Sequence, residues 1–205
     1  QYTRELILNH VSGRLKVAPE HTSDRVLNLM RKPSFRLFRT SSRMFHDICR
    51  QAGIRQQIIP YFISSHPGCT LNNAIELAEF LRDIKHQPEQ VQDFIPTPGS
   101  AATAMYYSGV DPATGESVFV ARHPHDKAMQ RALMQYRAPR NRQLVLEALQ
   151  KAGRMDLVGA EPKCLIGPER HSGRGSAGGF RAGGSAARGS GRGGKQAAPA
   201  KKCRS

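Results

Sequence analysis

The sequence predicts an α/β fold built from consecutive strand–loop–helix units, and three observations predict it. Two short apolar runs, in GRLKVAPEH (13–21) and YFISSHPGC (61–69), each end in a cluster of Pro, Gly, Ser, His or Glu, and a helical pattern follows each. The helical stretches between strands are long enough for crossovers of roughly a dozen residues, which imply parallel pairing. The residues able to do chemistry collect where the runs end, the place where parallel sheets bind ligands. The pattern fits a piece of a βα barrel or of an open doubly wound sheet.

Tyr2 to Val11 carries Leu6, Ile7 and Val11 at spacings that fit the last turns of a helix, which Ser12-Gly13 stops. Leu15 to Ala18 reads as the first strand, ended by Pro19, which has no amide to give a ladder. Thr22 or Ser23 is placed to cap a helix through Val26, Leu27 and Met30. A second helical stripe runs through Phe35, Phe38, Phe45, Ile48, Cys49 and Ala52, with Gly53 as its left-handed stop. Gln57 to Ser64 is the second strand. Thr70 caps the next helix, whose apolar face is Leu71, Ala74, Ile75, Ala78, Leu81 and Ile84. Glu89 to Ile95 alternates polar and apolar, as a third strand does, and ends at PTPGS.

After Ala102 the pattern changes. MYYSGVDPATGESVFVARHP reads as a short hairpin or extended excursion with DPATGE as its turn. Helices are predicted over Asp126 to Tyr136 and Pro139 to Ala152, the latter stopped by Gly153. The organisation expected is residues 1–102 as barrel units, 103–167 as a mostly helical extension, and 168–205 as a disordered Arg/Gly-rich basic tail.

The 205 residues carry a formal charge of +15. The last segment supplies about half of that surplus, and its Arg-Gly composition suits neutralising the phosphates of RNA. The alternative is a solubilising tail with no specific partner. No apolar run approaches the ~20 residues needed to span a bilayer and no signal segment opens the chain, so the expectation is a cytoplasmic protein. The start on Gln1, inside a helical pattern, leads us to expect a fragment of a longer chain. Cys49, Cys69, Cys164 and Cys203 make no CxxC or CxxxC pair and read as free thiols. Cys49 reads as core. Cys69 stands at a strand end, where it is either a small turn residue or a ligand-facing one.

The blocks GRLKVAPEHTSDRVLNLMRKP, QQIIPYFISSHPGCT, EQVQDFIPTP, TAMYYSGVDP and AMQRALMQYRAPRNRQLVLEALQKAGRMDLVG followed by PKCLI resemble the C-terminal part of a YgiQ-type radical S-adenosylmethionine (SAM) protein, from about Tyr2 to Ile166. The resemblance implies the later βα units of a partial, TIM-like barrel. It implies a 4Fe-4S cluster, held by a CxxxCxxC loop, that binds SAM for reductive cleavage to a 5′-deoxyadenosyl radical. It gives no substrate. This chain has no CxxxCxxC, so the resemblance implies an enzyme only together with a missing N-terminal part, and inactivity without it.

By the same resemblance, Glu20 and His21 close the strand that approaches the SAM ribose and amino-acid part. Ser64, Ser65 and His66 close the next, near the adenine. Gln90, Gln92 and Asp93 lie on the third, towards substrate. The alternative reading has Glu20 favouring a helix N-terminus and His66 satisfying a loop carbonyl.

Overall fold

A computed structural model of the chain describes residues 2–168, and three parallel strands lie at its centre in the order β1–β2–β3. The chain runs α1 (Tyr2–His10), β1 (Arg14–Glu20), α2 (Asp24–Leu29), α3 (Phe35–Ala52), β2 (Gln57–Ser64), α4 (Leu71–Asp83) and β3 (Gln92–Asp93). It continues through α5 (Ala101–Ser108), α6 (Pro124–Met134) and α7 (Arg142–Lys151), with 3₁₀ turns at Pro139–Asn141 and Met155–Leu157. The α/β class and the parallel sheet agree with the reading of the sequence. The Arg/Gly-rich tail expected from 168 onward lies, apart from Pro168 itself, outside the described residues.

The helix signals work as local chemistry predicts. Ser34 caps α3 by accepting from the Arg36 amide, and Gly53 ends it at φ +66°. Thr70 and Asn73 form a reciprocal capping box that satisfies two amides at the start of α4.

Four expectations change. β1 does not stop at Pro19 but reaches Glu20, because its register with β2 slips between Val17 and Glu20 and the proline falls where no ladder bond is required. Neither Thr22 nor Ser23 caps α2 with its side chain: the Ser23 hydroxyl accepts instead from Asn73 Nδ2. The third strand is only Gln92–Asp93, because its approach is held elsewhere: Gln135 Nε2 donates to the carbonyls of Pro88 and Glu89. The predicted hairpin begins as a helix, α5, since Ser100 accepts from the Thr103 amide and opens an Ala-rich turn. What remains of the hairpin is one antiparallel bridge, Val110 with Ser117, around an Asp111 whose carboxylate accepts from the Ala113 amide.

The two sheet faces differ. Leu15, Ile58 and Phe62 share one face and enter the clusters built by the helices: Ile7, Phe45 and Ile48 around the first two, Leu27, Leu77 and Leu81 around Phe62. The opposite face exposes Arg14, Lys16 and Tyr61, which with Ile59 line an open cleft of about 470 Å³. The largest cluster lies away from the strands, where α4, α6 and α7 bring together Ile75, Ala78, Leu133, Val145 and Leu149. Arg31 reaches across to Asp111 with two bonds of 2.8 and 3.0 Å, tying the loop after α2 to the turn after α5.

Candidate functional site

Adjacent parallel strands aim their carboxyl ends the same way, so the three strand tips are neighbours. Two non-glycine residues at these tips hold left-handed backbone: Glu20 (φ +65°) ends β1 and Ser65 (φ +60°) follows β2. Such geometry costs of order 1–3 kcal/mol per residue and collects at functional sites.

The tip of β2 is packed and internally bonded. Ser64, Ser65 and His66 are all buried. The Ser65 amide donates to Gln130 Oε1 at 3.2 Å, and Gln130 Nε2 donates to the Cys69 carbonyl at 2.9 Å, so one buried side chain of α6 spans the loop. Gly68 sits at φ +87°, where a Cβ would lie 2.1 Å from Leu29 Cδ1. His66 Nδ1 donates to the Pro67 carbonyl at 2.8 Å, and its ring meets Phe94 edge-on at 5.1 Å. Burial holds His66 below the usual histidine range, partly opposed by that backbone bond and by the Glu20 carboxylate.

His21 lies beneath the tip of β1, fully buried. Its Nδ1 accepts from the Ser23 amide at 3.0 Å, so the proton is on Nε2, which lies 3.4 Å from Cys69 Sγ. The thiol in turn donates to the Thr70 carbonyl at 3.7 Å. Burial, with some repulsion from His66, lowers His21 to about 4. Burial pushes the Cys69 thiol up to about 12. A neutral imidazole beside a neutral thiol is a structural pair, since a reactive cysteine needs a stabilised thiolate.

Glu20 itself is largely covered but borders an open cleft. Its carboxylate takes Lys32 Nζ at 3.0 Å. With Tyr61, Gln90, Gln92, Arg131 and Arg140 it lines a cleft of about 650 Å³ on the uncovered side of the sheet. Asp93 is turned aside: it accepts the Ser64 hydroxyl at 2.5 Å and Arg131 Nε at 3.0 Å, and pairs with a second Arg131 nitrogen.

The structure therefore brings Glu20, Gln90 and Gln92 together on one cleft. Ser64, Ser65 and His66 lie behind it, with His66 close enough to feel the Glu20 charge. His21 and Asp93 are committed to internal partners. Gln130, Arg131 and Arg140 were not singled out from the sequence. None carried a distinguishing signal there, since Gln130 and Arg131 both stand between the apolar positions Met129 and Leu133. Among the described residues no group of three His, Cys, Asp or Glu side chains could hold a metal ion, and no helix is long and apolar enough to cross a membrane.

Residues 89–205 match the family model of a domain of unknown function, DUF3362. A UPF0313 protein of Clostridium perfringens (strain 13) is 53% identical over 175 residues, which cover 85% of this chain and 26% of that protein. One from Methanosarcina acetivorans is 52% identical over 166 residues, 81% of this chain and 22% of its own length. A third, from Clostridium botulinum (strain 657), is 49% identical over 166 residues, 81% of this chain and 26% of its own. UPF0313 is the YgiQ-type family. The chain spans about a quarter of the length of these curated relatives.

Proposed function

The chain belongs to the family of the domain of unknown function DUF3362, and from that premise we propose that it forms the last βα units of a radical SAM barrel whose catalytic cluster is held by a part of the protein outside these residues. One observation carries the reading: helices cover one face of the parallel sheet, while the other is open and lined by strand residues. A doubly wound sheet has helices on both faces. A barrel wall has them on the outside only, and its inner face awaits the other strands. The relatives, more than three times as long, have chain enough to supply those strands.

The residues present do not fit the cluster. Cys69 is buried as a thiol, Cys49 is buried on α3 in the cluster of Phe45 and Ile48, and no three-ligand group exists among the described residues. The cluster ligands belong elsewhere in the longer protein.

The cleft does fit a small polar molecule, since such sites run from about 300 to 1,000 Å³ and carry a few convergent polar groups. Glu20, fixed by its left-handed backbone and by Lys32, accepts hydrogen bonds from a ribose hydroxyl or an ammonium group. Gln90 and Gln92 each offer an amide that both donates and accepts. SAM bound there would supply one-electron cleavage chemistry. This chain's own part is to orient the ligand and to wall off water on one side.

The test is anaerobic iron–sulfur reconstitution of a longer protein containing this sequence. Cluster absorbance and conversion of SAM to 5′-deoxyadenosine are expected, while the 205-residue chain alone binds no iron. Glu20→Gln is expected to weaken SAM binding about tenfold in equilibrium dialysis, the loss of one charge-assisted hydrogen bond. A longer protein that assembles no cluster overturns the reading.

A further inference from the structure

The cleft beside β2 and β3 is built from two parts of the chain, and the segment after β3 contributes its positive charge. Four charged side chains line it: Glu20, Glu89, Arg131 and Arg140. Glu20 is paired with Lys32, and Arg131 with Asp93. Glu89 and Arg140 form no ion pair with any other described residue. The cleft therefore carries one uncommitted charge of each sign.

Both poles are held by one residue. Gln135, just after α6, donates from Nε2 to the carbonyls of Pro88 (3.1 Å) and Glu89 (3.0 Å), which fixes the backbone that presents the carboxylate. Its own carbonyl accepts from the Ala138 amide (3.0 Å) and from Asn141 Nδ2 (3.1 Å), which fixes the turn Pro139–Asn141 that presents the guanidinium. Gln135 also lines the cleft. Fixing both backbone segments in advance lowers part of the ordering cost of binding a ligand between the two side chains.

We infer that Glu89 and Arg140, positioned by Gln135, form a two-pole subsite for a zwitterionic substrate carrying both an ammonium and a carboxylate group. A guanidinium fork suits a carboxylate in two-point contact, and a free carboxylate suits an ammonium. The inference deepens the proposed function by giving the substrate class, and it rests on that reading for placing the subsite beside the reaction. The subsite itself is made entirely of this chain's residues.

The test uses the 205-residue chain. Labelling of Arg140 by phenylglyoxal is followed site by site by mass spectrometry, at constant ionic strength, with glycine, γ-aminobutyrate and ε-aminocaproate as probes. Acetate, butyrate and caproate are the matched controls without the amine. At least one amino acid is expected to slow labelling about fivefold more than its control, the size of one added solvent-exposed ion pair. Glu89→Gln is expected to remove that advantage while leaving the weaker effect of the plain carboxylate. Gln135→Met is expected to remove it without altering the far-ultraviolet circular dichroism, which separates positioning from unfolding. Equal protection by amino acids and plain carboxylates overturns the inference, as does no protection by any probe, or protection by SAM alone. Cluster assembly in the longer protein is indifferent to all these outcomes, so the two readings fail separately.

Discussion

The loop that leaves β2 at its carboxyl end and the segment that enters the parallel β3 at its amino end use their polar groups in opposite ways. In SSHPGCT the polar atoms turn inward: Ser65 and Cys69 are bridged by Gln130, His66 bonds its neighbour's carbonyl, and Cys69 meets His21. In EQVQ (89–92) the side chains of Glu89, Gln90 and Gln92 face an open cleft. The first loop spends its chemistry on holding one shape. The second has its backbone held by Gln135 and its side chains left over. A cluster of Ser, His and Cys at a strand end is therefore no guide to which tip meets a ligand.

If that division is right, changes in the first loop act on stability and changes in the second do not. The largest effect is expected at Gly68. Gly68→Ala forces a side chain into left-handed backbone and against Leu29, and should cost roughly 3–5 kcal/mol in urea unfolding. A loss below about 1 kcal/mol would mean the loop is not the fixed element described.

His21 gives a pH test of nearly the same size. The unfolded imidazole titrates near 6.5 and the folded one near 4, so between these values only the unfolded chain takes the proton. The contribution is fully present above 6.5 and is lost as pH falls towards 4, about 3 kcal/mol in total. His66 and His86 are depressed in the same direction, so the readout is a difference. His21→Gln should flatten the fall in unfolding free energy between these pH values relative to the parent chain. An unchanged slope would place the His21 ring in water.

Gln130→Ala comes next. It leaves the Ser65 amide and the Cys69 carbonyl without their partner, a cost of roughly 2–3 kcal/mol by chemical denaturation. The smallest effect is expected in the second loop's cleft. Arg140→Gln should leave unfolding within about 0.5 kcal/mol of the parent, as for exposed residues outside any bonded network. A larger loss there would erase the contrast between the two loops.

Much of the framework was legible in the sequence, for identifiable reasons. Gly53, Thr70 and the stripe of Phe35, Phe45, Ile48 and Cys49 act through local geometry, so α3, β2 and α4 could be bounded closely. Elements governed by distant partners could not. Gln135 shortens β3 from 42 or more residues away, and the register slip that carries β1 past Pro19 depends on pairing with β2. The Ser100 cap is local and was readable, yet the aromatic-rich stretch after it drew the reading towards an extended strand. Of the site, Glu20 was identifiable as a strand-tip residue, and Gln90 and Gln92 as residues of the third strand. Arg140 was not, because nothing in YRAPRNR says that its turn folds back beside β3.

The outer border of β1 has a bearing on how the protein behaves in concentrated solution. Among the described residues β1 pairs only with β2, which leaves a row of amides and carbonyls free to template another strand. Pro19 and the register slip near it spoil the second half of that row for pairing. Stray self-association is thereby confined to the short stretch Arg14–Val17, and a legitimate neighbouring strand must begin its alignment there.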